Sequence, residues 1–219
     1  MSIAEKRDSD VAKRDEALAN IDGYFDGGHF ERELARRIAF KTESNLPGCE
    51  TALASYLADE MVPDLTALGF ACEIYPNPRQ DAGPFLVASR HEGDDLPTVM
   101  TYGHGDVVAG YGGQWDNDIN PWEITKIGNR WYGRGTADNK GQHTINIAAL
   151  RSVLEIRESL GFNVIFLVEM GEERGSPGLK DFCTARKDLF HADVFIASDG
   201  PRIHPEKPTI FMGSRGVFN

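Results

Sequence analysis

Apolar, strand-like runs that end in ionisable residues constrain the fold of this chain more than any other feature of its sequence. In four segments an apolar run ends in ionisable residues or is followed by them within a few positions: TVMTYGHGDVV, RWYGRGTADNKG, NVIFLVEMGEERGS and DVFIASDG. Open α/β sheets bind ligands in the crevice beyond the carboxyl ends of their strands. We therefore expect these ionisable residues to converge in space, although they are far apart in the sequence.

The remaining periodicity predicts an α/β fold with a mixed, centrally parallel sheet sandwiched by helices, because strand patterns alternate with helical ones. Helical patterns cover 1–22 (a surface helix or frayed extension), 30–40, 50–68, 140–159 and 176–190. Strand patterns cover 70–76, 84–91, 98–106, 162–170, 193–199 and 208–218, and a hairpin covers 122–133.

Several residues refine this prediction. Pro63 predicts a kink or break in the second helix, and the Gly128–Asn129 pair suits the turn of the hairpin. Ser176 and Pro177 are a good N-cap and first-turn pair for a helix. The runs at 162–170 and 193–199 have the continuous apolar character of buried strands. The helix over 140–159 is expected to bury one set of apolar residues, namely Ile145, Ala148, Ala149 and Leu154.

Charge and cysteine content exclude several classes of partner and environment. The net charge of −11 argues against nucleic acid or an anionic membrane as a partner, but it is compatible with a divalent cation. Cys49, Cys72 and Cys183 form no C-x-x-C pattern and predict no disulfide framework, which favours a reducing compartment. The amino terminus lacks the apolar core of a secretory signal, and no apolar run is long enough to cross a bilayer. We therefore expect a soluble, cytoplasmic protein.

The GHGD segment places His104 and Asp106 two residues apart on extended backbone, so both side chains point to one face. Imidazole is a common metal ligand, and a carboxylate beside it can accept its other N–H and fix the tautomer. An H-x-D pair alone is a weak signal, because an ordinary turn or strand end more often explains it.

The GRGTADNKG segment places Asp138 in a glycine-flanked loop before a helix. A phosphate-binding loop is the competing interpretation, since G-R-G opens a helix. It is disfavoured because Asp138 occupies the position of the third glycine of G-x-G-x-x-G, where its negative charge would repel a pyrophosphate.

Glu172 and Glu173 follow the most hydrophobic strand pattern of the chain. Adjacent carboxylates cannot both face one point, so one can bind a metal while the other acts as a general base. A solvated charged turn is the alternative, and it would be favoured if this pair stood alone. Asp199, which ends DVFIASD, has the same strand-end position and the same ambiguity.

Taken together, H-x-D-V-V, G-R-G-x-x-D-x-K-G, E-E-x-G-S and S-D closely resemble the co-catalytic zinc peptidase family. This family includes aminoacylases, acetylornithine and succinyl-diaminopimelate deacylases, carboxypeptidase G and carnosinase-type dipeptidases. The resemblance covers roughly residues 30–219, and the motifs match in order, spacing and flanking residues. The W-x₅-P-W stretch from Trp115 to Trp122 looks closest to the dipeptidase branch.

The resemblance implies two Zn²⁺ ions, with Co²⁺ or Mn²⁺ as possible substitutes, and a cis peptide just after Asp138. It also implies a role for each matching residue. His104 and Asp199 would bind one ion, Glu173 would bind the other, Asp138 would bridge them, Glu172 would be the general base and Asp106 would orient His104.

The resemblance further implies that residues 1–219 are the amino-terminal part of a catalytic domain. Residues 1–28 would be a helical extension, and 208–219 would start the connection to a lid and dimerisation domain absent from this chain. That domain would make the full-length protein a homodimer, and a later segment would supply a second histidine ligand. We expect a metal-dependent hydrolase that cleaves an amide bond in a dipeptide or an N-acyl amino acid. The alternative is a non-catalytic metal-binding fragment, inactive without its carboxyl-terminal half.

Overall fold

A computed structural model describes residues 3–200, 203, 204, 206, 207 and 209–211. Its α-helices are α1 (Ile3–Asp26), α2 (His29–Ala39), α3 (Glu50–Ser55), α4 (Val62–Ala67), α5 (Lys140–Arg157) and α6 (Leu179–Ala185), with a π-helical segment at Tyr56–Met61 and short 3₁₀ turns at Asp116–Asp118, Glu172–Arg174 and Lys187–Leu189. Its strands are β1 (Ala71–Tyr75), β2 (Phe85–Arg90), β3 (Thr98–His104), β4 (Thr125–Ile127), β5 (Arg130–Tyr132), β6 (Asn163–Glu169) and β7 (Val194–Ala197). No helix in this described part is both long and apolar enough to cross a membrane.

Five strands form a mixed sheet in the order β1-β2-β6-β3-β7. The strands β6, β3 and β7 run parallel, whereas β1 and β2 are antiparallel to their neighbours. The predicted sheet with a parallel centre is therefore confirmed. Parallel strands bring their carboxyl ends to one edge, and here the register places His104 beside Glu169, the last residue of β6.

Successive side chains of a strand point to opposite faces of the sheet. Both faces of this sheet carry apolar residues, and helices cover both of them. On β6, Phe166 and Val168 join the cluster that contains Tyr56 and Ile147, below α3, α4 and α5. The neighbouring Leu167 joins the opposite cluster, where the ring of Phe85 from β2 stacks on that of Phe182 from α6 at 4.6 Å.

The helix predicted over 50–68 is present, but its hydrogen-bond pattern changes along its length. The predicted break at Pro63 is wrong, because the chain stays helical from Glu50 to Ala67. The hydrogen-bond pattern changes instead in the π-helical segment, which ends two residues before Pro63. Pro63 itself lies in the first turn of α4, a position that proline tolerates. The predicted hairpin is confirmed as β4 and β5, with Gly128 in the left-handed region at φ 59°.

The extension predicted at 1–22 is the long helix α1, which packs against α5. The hydroxyl of Ser152 on α5 donates a hydrogen bond to the carbonyl of Ala17 on α1 at 2.6 Å. Asn20 donates to Glu155 at 3.1 Å in the same interface. The surface-helix alternative is therefore the one that the structure shows for this segment.

The predicted buried face of α5 is wrong in part, since Ile145 is 51% exposed and Ala149 is also exposed. The helix turns a largely polar set inward at its start, including His143 and Thr144 with no exposed surface. Hydrophobic spacing cannot identify a buried face that is made of polar residues, and only Ala148 of the expected set is fully buried.

Two further predictions are wrong for local reasons. Ser176 does not cap α6, because its hydroxyl donates to the carboxylate of Glu169 at 2.8 Å and the helix begins after Gly178. The strand β7 is exposed rather than buried, since β3 is its one strand neighbour among the described residues. The strand predicted over 208–218 lies largely outside the described residues.

Candidate metal centre

The carboxyl edge of the parallel strands carries a cluster centred on His104. Its Nε2 atom lies 2.9 Å from Asp138 Oδ1, 3.8 Å from Glu172 Oε2 and 3.8 Å from Asp199 Oδ2. His104, Glu172 and Asp199 each offer a ligand atom within 4.8 Å of the others. The convergence expected from the strand-end positions is therefore present for these four residues.

Each member reaches the cluster from a different element. His104 ends β3, Asp138 lies just before α5, and Asp199 follows β7 by two residues. Glu172 begins the 3₁₀ turn that comes after β6. The Asp138–Asn139 peptide bond is cis, as expected from the family resemblance.

Asp106 is fully buried and ties three segments together. Its carboxylate accepts the backbone N–H groups of Glu172 and Glu173, each at 3.1 Å. It also accepts the hydroxyl of Ser44 at 2.7 Å. The sequence analysis missed Ser44, because one serine in a loop carries no spacing signal.

The same residue determines the tautomer of His104. Nδ1 of the imidazole lies 3.0 Å from the carbonyl oxygen of Asp106 and 3.4 Å from its Oδ1. Both groups only accept hydrogen bonds, so Nδ1 carries the hydrogen of the neutral ring. Nε2 is then the nitrogen that would coordinate an ion held by the carboxylates, once its own hydrogen is lost.

Glu173 occupies a different environment from Glu172. Burial raises the pKa of Glu173, and the negative charge of Asp138 raises it further. Burial also raises the pKa of Glu172, for which the neighbouring charges are those of His104 and Asp199. The charges of His104 and Asp106 act on both carboxylates, whereas that of Asp199 acts on Glu172 and that of Asp138 on Glu173.

Electrostatics favour a cation at this edge. Burial alone would lower the pKa of His104, but the carboxylates of Asp106, Asp199 and Asp138 raise it to about 9. Burial raises the pKa of Asp199, and repulsion from Asp138 adds to that effect. One imidazole nitrogen among several partly buried carboxylates is a donor set that fits zinc and related divalent ions.

Glu169 is a further buried carboxylate at this edge of the sheet, and the sequence analysis missed it. Its side chain is 1% exposed and accepts hydroxyl groups from Tyr102 and Ser176. Burial raises its pKa, and the charges of Asp106 and His104 also act on it. The sequence did offer a signal for Glu169, because this carboxylate ends the most apolar strand of the chain.

Comparisons with known proteins agree with this geometry. Residues 100–211, which carry all the clustered residues, match the peptidase family M20/M25/M40. The chain belongs to this family. Its motifs and its sheet are therefore those of an M20 peptidase domain.

Two curated relatives and one solved structure illustrate the similarity of this M20 chain to known proteins. It is 35% identical over 147 residues to the cysteinylglycine-S-conjugate dipeptidase of Corynebacterium striatum, covering 66% of this chain and 31% of that protein. It is 35% identical over 136 residues to the human Beta-Ala-His dipeptidase, covering 61% of this chain and 26% of that protein. The structure of human carnosine dipeptidase 1 matches with a TM-score of 0.78 and 28% identity, covering 86% of this chain and 42% of that one. The chain thus spans less than half of these relatives.

Proposed function

We propose that the protein carrying this M20 chain is a metal-dependent hydrolase that cleaves an amide bond in a small peptide. The single observation that supports this most is the position of His104 Nε2, surrounded by Asp138, Glu172 and Asp199 at the carboxyl edge of the sheet. A dipeptide is the favoured substrate class, since the relatives described above are named dipeptidases. An N-acyl amino acid is the second candidate, because it presents the same amide bond beside a carboxylate.

The proposed assignment divides the ligands between two zinc ions. His104 and Asp199 would hold the first, Glu173 would hold the second, and Asp138 would contact both. Cobalt or manganese could replace zinc, since the same nitrogen and oxygen donors suit these ions. A bound ion would supply Lewis-acid polarisation of the amide carbonyl.

Glu172 is proposed as the general base. Its carboxylate lies beside the cluster, and burial raises its pKa toward the range in which a carboxylate both accepts and releases protons. In the reaction, Glu172 would take a proton from the attacking water and pass it to the amine that leaves. Asp106 would keep the hydrogen of His104 on Nδ1, so that Nε2 stays directed into the cluster.

The alternative is that this chain binds metal but does not catalyse hydrolysis by itself. It covers 31% and 26% of the two dipeptidases, and the remaining part of such a protein could supply substrate-binding groups and a dimer contact. Metal binding by these 219 residues and hydrolysis by a longer protein are therefore separate measurements.

The test measures both properties with matched variants. Zn²⁺ titration of this chain should show tight binding that His104→Ala removes and that the exposed Asp95→Asn, used as the control, leaves unchanged. Hydrolysis of a panel of dipeptides and N-acetyl amino acids by the full-length protein should stop on chelation and return with Zn²⁺. Hydrolysis that survives both chelation and His104→Ala would overturn the proposal. Metal binding without hydrolysis of any panel member by the full-length protein would support the alternative.

A further inference from the structure

The side chain of Asn139 forms hydrogen bonds with two segments that are distant from it in the sequence. Asn139 follows Asp138 and has no exposed surface. Its Oδ1 accepts the backbone N–H of His104 at 3.2 Å, and its Nδ2 donates to the carbonyl of Ser198 at 2.6 Å. One side chain thus joins the residue that ends β3 to the residue that precedes Asp199.

These backbone partners determine the orientation of the amide. A backbone N–H can only donate and a backbone carbonyl can only accept, so the oxygen of Asn139 faces His104 and the nitrogen faces Ser198. His143 Nδ1 lies 3.3 Å from the same Oδ1 and must therefore carry a hydrogen.

The protonation of His143 then determines the direction of the next hydrogen bond. Burial lowers the pKa of His143 well below its ordinary value, so the ring is neutral and its Nε2 bears a lone pair. The hydroxyl of Tyr56, 2.6 Å from Nε2, must be the donor. Tyr56 and His143 are both fully buried, so no solvent competes for these bonds.

We propose that the buried hydrogen-bonded chain Tyr56–His143–Asn139, here called the relay, holds His104 and Ser198 at a fixed separation and thereby sets the metal affinity of the cluster. The proposal rests on the metal site proposed above. Tyr56, His143 and Asn139 are positioning residues in it, since they act through the backbone of ligand-bearing segments.

Packing around the relay leaves little freedom for Asn139 to adjust. A Cβ atom at Gly103 would lie 2.9 Å from Asn139 Oδ1 and 3.0 Å from His143 Cβ, so glycine is required there. Asn146 adds a second contact from α5 to the same segment, donating to the hydroxyl of Ser198 at 2.9 Å. In the other tautomer of His143, the lone pair of Nδ1 would face the oxygen Oδ1 of Asn139. The two atoms would repel each other, and the packing around them would limit how far they could move apart.

The main test is Tyr56→Phe, which removes the hydroxyl that donates to His143 Nε2 and keeps the ring. Tyr75→Phe is the control, because Tyr75 is also buried and donates to a single carboxylate, that of Glu73, at 2.6 Å. Zn²⁺ affinity, measured by competition with a chromophoric chelator, should fall about 10-fold or more in Tyr56→Phe, the usual scale for groups that orient metal ligands. The control should keep the wild-type affinity.

Two further measurements separate positioning from a general loss of stability. Nitrogen-15 NMR of the metal-free wild type should show His143 with its hydrogen on Nδ1, and unfolding by denaturant should show how far each variant is destabilised. The relay is overturned if the hydrogen lies on Nε2, or if Tyr56→Phe loses stability but keeps its zinc affinity. If Tyr56→Phe does not fold, His143→Leu is measured and judged by the same loss of affinity. A wild-type chain that binds no zinc would instead overturn the proposed metal site, and the relay with it.

Discussion

The carboxylate of Glu172 lies 3.8 Å from Nε2 of His104, the imidazole nitrogen that also faces Asp138 and Asp199. This position puts Glu172, rather than Glu173, in the group of possible ligands around His104. The proposed roles are the reverse, with Glu173 as the ligand and Glu172 as the base. Substitution of each glutamate separates the two assignments.

The first prediction concerns these two glutamates in the full-length protein, under the proposed function. Glu172→Gln should keep its metal content, because the amide removes a proton acceptor but no ligand. Its turnover should fall by roughly 10²–10⁴-fold, the usual scale of general acid–base catalysis. Glu173→Gln should lower the metal content, since a neutral amide is a poorer zinc ligand than a carboxylate. Loss of metal in Glu172→Gln but not in Glu173→Gln would reverse the assignment. Unchanged hydrolysis in both variants would show that the pair is an ordinary solvated turn with no catalytic role.

The second prediction concerns the two ions. In the proposed division of ligands, His104, Asp138 and Asp199 would give the first ion three protein ligands, as in an open catalytic zinc site. Glu173 and Asp138 would give the second ion two within this chain. Titration of the chain with Zn²⁺ should therefore show one tight and one weak equivalent, and Asp199→Asn should weaken the tight one. Two equally tight equivalents would contradict this division of the ligands.

The third prediction concerns a group of buried ion pairs that includes none of the proposed metal ligands. The side chain of Arg37 has no exposed surface and pairs with Glu33, Glu60 and Asp64. Arg37→Met should lower the free energy of unfolding by about 3–5 kcal/mol, because it removes the one fully buried cation of these pairs and leaves the three carboxylates with only the more exposed Arg36 and Arg151. Arg36→Met is the control, since Arg36 pairs with Glu60 but is 54% exposed, and it should cost about 1 kcal/mol or less. If denaturant unfolding showed the same loss of stability in Arg37→Met and Arg36→Met, burial of the arginine would not explain the cost of removing it.

The fourth prediction concerns the pH dependence of stability at Glu92. Burial alone would raise its pKa, but the backbone N–H groups of Leu160 and Gly161 and the guanidinium of Arg90 lower it below 4.5. The unfolded chain therefore binds the proton first as the pH falls, and the contribution of Glu92 is lost below about pH 4.5. Glu92→Gln should be less stable than wild type by about 1.5–3 kcal/mol near pH 7, the range for hydrogen bonds to charged groups. The difference should shrink in unfolding curves taken from pH 5 to pH 3, and a constant difference would contradict it.

The members of the candidate site that could be predicted from the sequence are those that directly end or follow an apolar run. His104 and Asp199 come at the ends of such runs, and parallel pairing of β3 with β7 brings these ends together. The fold class was predictable for the same reason, because alternation and apolar runs report which faces of a strand are covered.

The residues that escaped prediction are held by contacts between segments distant in sequence. Ser44 reaches Asp106 across 62 positions, and Tyr56 reaches His143 across 87, so neither pair has a local pattern. The buried face of α5 was misassigned because its first turns bury His143 and Thr144, which hydrophobic spacing places outside. Polar contacts of this kind are decided by tertiary packing.

The glycines on either side of His104 have a consequence for how the sheet assembles. A Cβ atom at Gly103 would meet Asn139 Oδ1 at 2.9 Å, and one at Gly105 would meet the ring of Tyr56 at 2.4 Å. If β3 shifted by one residue along β6, the imidazole would enter a space that admits only a hydrogen atom. Steric clashes would therefore exclude misaligned strands. The fraction of a refolded sample that binds metal would then measure the fraction of molecules whose strands are correctly aligned.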